Sequence, residues 1–136
     1  MKIKLDMLDD IISTKLSEFV INDIGTKYHL TDDNFTINDT SPSNPVLPSI
    51  YLSLLPSFET NTDLEATTLH GGLFTFQVDV YDNVSQDEAT KIMNSVVKGM
   101  KMMAFKVTSM PTFNNQNTIF RKTARFQRAI DDGDTL

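Results

Sequence analysis

Two histidines, His29 and His70, are the residues of this chain best suited to proton transfer or metal binding at neutral pH. Neither has a companion at metal-ligand spacing, so both are read as loop residues with no chemical duty. Ser95 and Lys98 match the Ser-x-x-Lys pattern, in which an amine activates a hydroxyl nucleophile. The companion motifs of that chemistry are missing, 136 residues are too few for its fold, and the match falls inside an amphipathic helical pattern. The clusters Asp9-Asp10, Asp32-Asp33 and Asp131-Asp132-Gly133-Asp134 lack the alternating carboxylates and closing glutamate of a calcium loop, and are read as solvated. Asp79 with Asp82 just beyond resembles a nuclease carboxylate pair, but the Glu-x-Lys partner such a site needs on a following strand is absent. There is no cysteine and no glycine-rich phosphate loop, which removes thiolate metal centres and nucleotide cradles. The expectation is a non-enzyme with no catalytic, cofactor-binding or metal-binding residues.

Charge is the more informative feature. Arg121, Lys122, Arg125 and Arg128 crowd one segment. They read either as a solvated strand face or as a surface that meets an acidic patch on a neighbouring subunit or a phosphate backbone, since arginine suits both. The net charge of -6 argues against tight DNA binding as the main function. Its distribution is uneven. Residues 1–90 hold four lysines and fifteen acids, or -11, whereas residues 91–130 hold eight lysines and arginines and no acid, or +8. Such block polarity steers association between molecules unless pairing within the chain absorbs it.

The elements that position these groups follow from hydrophobic spacing. Leu5, Leu8, Ile12, Leu16 and Phe19 recur at three and four residues, which predicts a helix over residues 5–20, ended by Asn22-Asp23-Ile24-Gly25. A long polar loop is expected over about residues 22–48, with at most a short strand at residues 35–37. Ile50, Leu52 and Leu54 alternate with polar residues between Pro48 and Pro56, and Phe74, Phe76, Val78 and Val80 alternate after Gly71-Gly72; both segments predict strands. Ser85 and Glu88 have capping-box spacing ahead of Ala89, Ile92, Met93, Val96, Val97, Met100 and Met103, a second helix. Strands are predicted at residues 105–108 and 118–130, separated by Pro111 and Asn114-Asn115-Gln116-Asn117 and paired as a hairpin.

The order α-β-β-α-β-β predicts an α+β fold, an antiparallel or mixed sheet of about four strands with two helices on one face. Its length suits a single domain spanning residues 1–136. Charges near the amino terminus argue against a signal peptide, no apolar run approaches the roughly 20 residues of a membrane span, and the sequons at Asn34, Asn38 and Asn83 are read as chance. No membrane contact is expected.

Three strings within this order carry a resemblance: Leu47-Pro48-Ser49-Ile50-Tyr51-Leu52, Gln77-Val78-Asp79-Val80-Tyr81 ahead of the Ser-capped helix, and Phe120-Arg121-Lys122-Thr123-Ala124-Arg125-Phe126. Together with the amino-terminal helix they resemble the tail terminator, or tail completion, proteins of long-tailed phages, in the minor capsid-type branch, over residues 47–130. The resemblance implies a virion structural protein at the tail-neck junction, assembled in the host cytoplasm. Such a protein forms a homo-oligomer, a hexameric ring in the virion that can be a monomer in solution. The ring caps the tail tube, meets the major tail tube protein and the head connector or stopper protein, and provides the head-docking surface in head-tail joining. Contact with DNA in its lumen would be non-specific at most. Another neck or head-completion connector, or a small DNA-acting accessory enzyme, is the alternative. Subunit interface or lumen positions are expected at Arg121, Lys122, Arg125 and Arg128, and in an arm containing Leu64, Glu65, His70, Gly71 and Gly72.

Overall fold

The longest alternating pattern in the sequence becomes the spine of the sheet. In the computed structural model, which describes residues 7–37, 47–55, 71–113, 119–131 and 134, Gly71–Asp82 forms strand β3, with Phe74, Phe76, Val78 and Val80 buried on one face. Along its whole length β3 pairs antiparallel with Phe120–Asp131 (β5), from Gly71 opposite Asp131 to Asp82 opposite Phe120. Its other edge takes Ser49–Leu55 (β2), also antiparallel, with the predicted bounds. Lys106–Phe113 (β4) lies outside β5, as the hairpin reading expects. Because β3 and β4 both run antiparallel to β5, they are parallel to each other, joined across it by the helix Gln86–Met102 (α2) in a split crossover.

Four corrections to the expected elements have local causes. The sheet has five strands among the described residues, in the order β1-β2-β3-β5-β4, because Phe35–Ile37 (β1) adds a parallel edge to β2. Side chains of the polar loop place it: Asn34 Nδ2 donates to the Pro48 carbonyl at 2.6 Å, and Asn34 Oδ1 accepts from the Thr31 amide at 2.9 Å. The first helix, Leu8–Tyr28 (α1), runs eight residues past its predicted end. Gly25 does not stop it; His29 does, at φ 57°, with the Leu30 amide bonded to the Gly25 carbonyl at 2.8 Å and Leu30 buried beneath. The loop read at residues 22–48 is therefore helical through Tyr28 and in part a 3-10 turn at Asp32–Asn34. Finally, Pro111 does not divide β4. An edge strand whose pairing shifts between Val107 and Ser109 and again between Ser109 and Thr112 has no ladder bond there for a proline to remove.

Both helices lie on one face of the sheet. Ile12, Leu16 and Val20 of α1 and Ile92, Met93, Val96 and Met100 of α2 meet Ile50, Leu52, Phe76, Val78, Val80, Ala124 and Phe126 in one core. Each such side chain taken from water contributes roughly 1.5–3 kcal/mol, which fixes the helical faces against the sheet. At the start of α2, Ser85 Oγ accepts from the Glu88 amide at 3.0 Å as its spacing predicts. The return contact from Glu88 is replaced: the Ser85 amide donates to Asp82 Oδ2 at 3.2 Å.

Gly99 marks the closest approach of the two helices. A β-carbon there would stand 2.9 Å from Phe19 Cδ1 and 3.0 Å from Leu16 Cδ1. Elsewhere in a helix Gly→Ala gains about 1 kcal/mol, but overpacking costs roughly 1–3 kcal/mol. Gly99→Ala is therefore expected to lower stability by about 1 kcal/mol in urea unfolding; a more stable variant would show that α1 and α2 have room to part.

Candidate functional site

Strand parity divides the basic residues that the sequence sets side by side. Lys122 and Arg128 lie opposite Val80 and Phe74 and so face the helices, whereas Arg121 and Arg125 lie opposite Tyr81 and Gln77 on the far face. Lys122 Nζ donates to Thr90 Oγ1 at 3.1 Å and sits 4.5 Å from the centre of the Phe113 ring. Arg128 Nη1 donates to the Met103 carbonyl at 2.9 Å, satisfying a group at the C-terminal end of α2 where positive charge is also favoured by the helix dipole. Two of the four expected interface residues thus brace α2 from below.

The far face carries a polar network built across β3 and β5. Asp79 is only 3% exposed, and its Oδ1 accepts from Arg121 Nε at 3.2 Å and from Thr123 Oγ1, with Arg121 Nη2 ion-paired to it at 3.1 Å. Its Oδ2 accepts from Gln77 Nε2 at 3.2 Å, while Gln77 Oε1 accepts from Arg125 Nε at 3.2 Å. Gln127 Nε2 donates to Thr75 Oγ1 at 3.0 Å, extending the ladder. The Arg121 guanidinium also stands 5.5 Å from the Tyr81 ring centre. Burial first, and the neighbouring Asp79 anion second, push the Tyr81 hydroxyl above its ordinary value of 10.0, against the opposing effect of Arg121.

The other residues singled out by type disperse. Asp82 is on the helix side of β3 and Asp79 on the far side, so the two carboxylates do not converge. Ser95 is buried between the helices and donates to Asp23 Oδ2 at 2.8 Å, while Lys98 lines a shallow groove of about 250 Å³ with Lys27, Tyr28 and Lys91. His29 is the left-handed residue that ends α1. Asp9 and Asp10 sit in the first turn of α1, where carboxylates suit the helix dipole. Burial, and then the adjacent Asp10, raise Asp9 above the usual carboxylate range. Asp32 and Asp33 are exposed in the 3-10 turn. Gly71 and Gly72 open β3, whereas Leu64, Glu65 and His70 lie outside the described residues. Among the described residues, no three His, Cys, Asp or Glu side chains are grouped to hold a metal ion, and no helix is long and apolar enough to cross a membrane.

Among the described residues, several charges of both signs stay on the surface. Asp79 pairs with Arg121, and Asp87 pairs with Lys91 at 3.1 Å on the surface. Asp10 and Glu18 remain exposed along one stripe of α1, and Lys98 and Lys101 along α2. Lys106 and Arg125 are exposed at the β4–β5 edge. Sequence reading missed the Asp79 network and the buried, unpartnered carboxylate oxygens of Asp82 and Glu88 at the start of α2. The only signal for either was an acid placed on an otherwise apolar or cross-paired strand.

No protein-family model matches the chain, and a search of curated proteins returns no match.

Proposed function

We propose that this chain is a virion structural subunit of a long-tailed phage, a tail terminator that closes the tail tube as a homo-oligomeric ring and presents the surface for head docking. The observation that carries this reading is the separation of unpaired charge on one helical layer. Asp10, Thr14 and Glu18 are spaced by four on α1; Asn94, Lys98 and Lys101 are spaced by four and three on α2. Each set therefore forms a ridge. A subunit with an acidic ridge and a basic ridge suits head-to-tail contacts, which close into a ring when the rotation between copies permits. Arg125 and Lys106 add positive charge at the sheet edge, at or near the same contacts or the lumen. The resemblance in residues 47–130 supplies the tail tube and the head connector as the other partners.

Reversal of the basic ridge, Lys98→Glu with Lys101→Glu, is expected to block ring assembly and leave heads and tails unjoined in electron micrographs. Adding Asp10→Lys and Glu18→Lys exchanges the two ridges and should restore assembly. Normal particles from the first variant would remove the ridges from the interface. Infectious particles formed without the gene would overturn the proposed role itself, whose expected deletion phenotype is tails of irregular length lacking heads.

A further inference from the structure

The junction between β3 and α2 holds a carboxyl pair that the virion role does not use. Asp82, the last residue of β3, is 0% exposed, and Glu88 stands in the first turn of α2. One oxygen of each, Asp82 Oδ1 and Glu88 Oε2, is buried without a hydrogen-bond partner among the described residues. Two ionised carboxylates only accept, so neither could satisfy the other, and two buried like charges would repel. A buried acceptor left unmade costs more than an ordinary hydrogen bond returns.

We propose that Asp82 and Glu88 share one proton, with Glu88 Oε2–H donating to Asp82 Oδ1, and that this proton closes the β3–α2 junction. The rest of the junction is organised around the same two residues: Asp82 Oδ2 accepts from the Ser85 amide, and Ser85 Oγ accepts from the Glu88 amide. A divalent cation fits less well. Such ions take six or more oxygen ligands, usually including water, and a pair with a wholly buried member and, among the described residues, no third acid or histidine grouped with it offers too few.

Among the described residues, the charged groups named on the surrounding elements have other partners or lie on another face. On β5, Lys122 is bonded to Thr90, and Arg121 is held by Asp79 on the far face. On α2, Asp87 pairs with Lys91. From α1, Lys27 lies 5.5 Å from the Tyr28 ring centre, and from β4, Lys106 is opposite Gln127 on the far face. Burial first, then the hydrogen bond and the charge of Asp82, raise Glu88 from 4.5 to about 7. The folded chain therefore binds this proton more tightly than the unfolded one. The stability it contributes is complete below the ordinary glutamate range and is lost as pH rises through about 7. Within the neutral range the junction is a proton-controlled brace.

The test is a side-chain carboxyl NMR titration of the whole chain, with thermal melts alongside. The Glu88 resonance is expected to titrate near 7 and to fall toward the ordinary value of about 4.3 in Asp82→Asn, where the like charge is gone. Glu88→Gln, whose amide donates as the protonated acid does, should lose the part of the melting-temperature decline between about pH 5.5 and pH 8.5 that belongs to the pair, on the order of 5 °C. Titration of Glu88 near 4.3 in the unaltered chain would overturn the proposal. So would a melting temperature at high pH that rises with added Ca²⁺ or Mg²⁺ and falls with chelator. The unaltered-chain titration decides the matter even if a variant fails to fold.

Discussion

Phe76→Ala is expected to remove roughly 3–5 kcal/mol of folding stability, a large share of what a chain of this size has. The Phe76 ring is fully buried at the centre of β3, directly opposite Phe126 on β5 and next to Leu54 on β2. It meets Phe105 edge to face, with ring centres 5.7 Å apart and planes at 78°. Truncation removes the transfer energy of the ring and leaves a cavity where three strands and α2 converge, a loss of roughly 3–5 kcal/mol. A domain of this size has only about 5–15 kcal/mol to lose. Phe76→Leu keeps most of the volume and should cost well under half as much, roughly 1–2 kcal/mol. Urea unfolding monitored by far-ultraviolet circular dichroism measures both. Equal midpoints for the two variants would mean that the centre of the core collapses around the missing ring.

Asp79→Ala carries the second large effect, for an electrostatic reason. Removing one member of a buried, hydrogen-bonded ion pair usually costs roughly 3–5 kcal/mol, because its partners keep their desolvation without compensation. Arg121 has a side chain 31% exposed against 4% for Asp79, so it recovers part of its hydration. The expected loss is therefore at the low end, about 3 kcal/mol. Combining Asp79→Ala with Arg121→Met removes the stranded charge together with the carboxylate. The double variant should regain about half of the loss, since an ion pair replaced by apolar residues is often close to neutral. If the two changes instead add, the residues act independently and Arg121 is not held by Asp79 in solution. The same Asp79→Ala variant should let the Tyr81 hydroxyl move down toward its ordinary value, which an ultraviolet titration reads directly.

Several features of this chain were legible from spacing alone because they depend on neighbours in sequence. Strand β2 has the bounds set by Pro48 and Pro56, since proline stands outside a hydrogen-bonded ladder whatever lies beside it. The inward face of β3 and the Ser85 cap of α2 are likewise local consequences of period two and of a side chain reaching three residues ahead. The end of α1 was also written in the sequence, as Ile24 and Tyr28 continuing the stripe, but a glycine masked it. Gly25 is tolerated inside the helix, while a histidine takes the left-handed position because burial of Leu30 secures the turn.

Other features required the tertiary fold. Whether Arg121 and Lys122 share a surface depends on strand alternation, but whether each finds a partner depends on what β3 and α2 place across from it, some 30 to 40 residues away. The β3–β5 register that joins Asp79 to Arg121 is non-local, and the burial that surrounds Asp82 and Glu88 comes from the packed fold. Their energies come from desolvation, which no single segment possesses before the chain has folded. Amino-acid order determined the elements and the excess of acid before base; only burial decided which charges are spent inside the molecule and which are left for another.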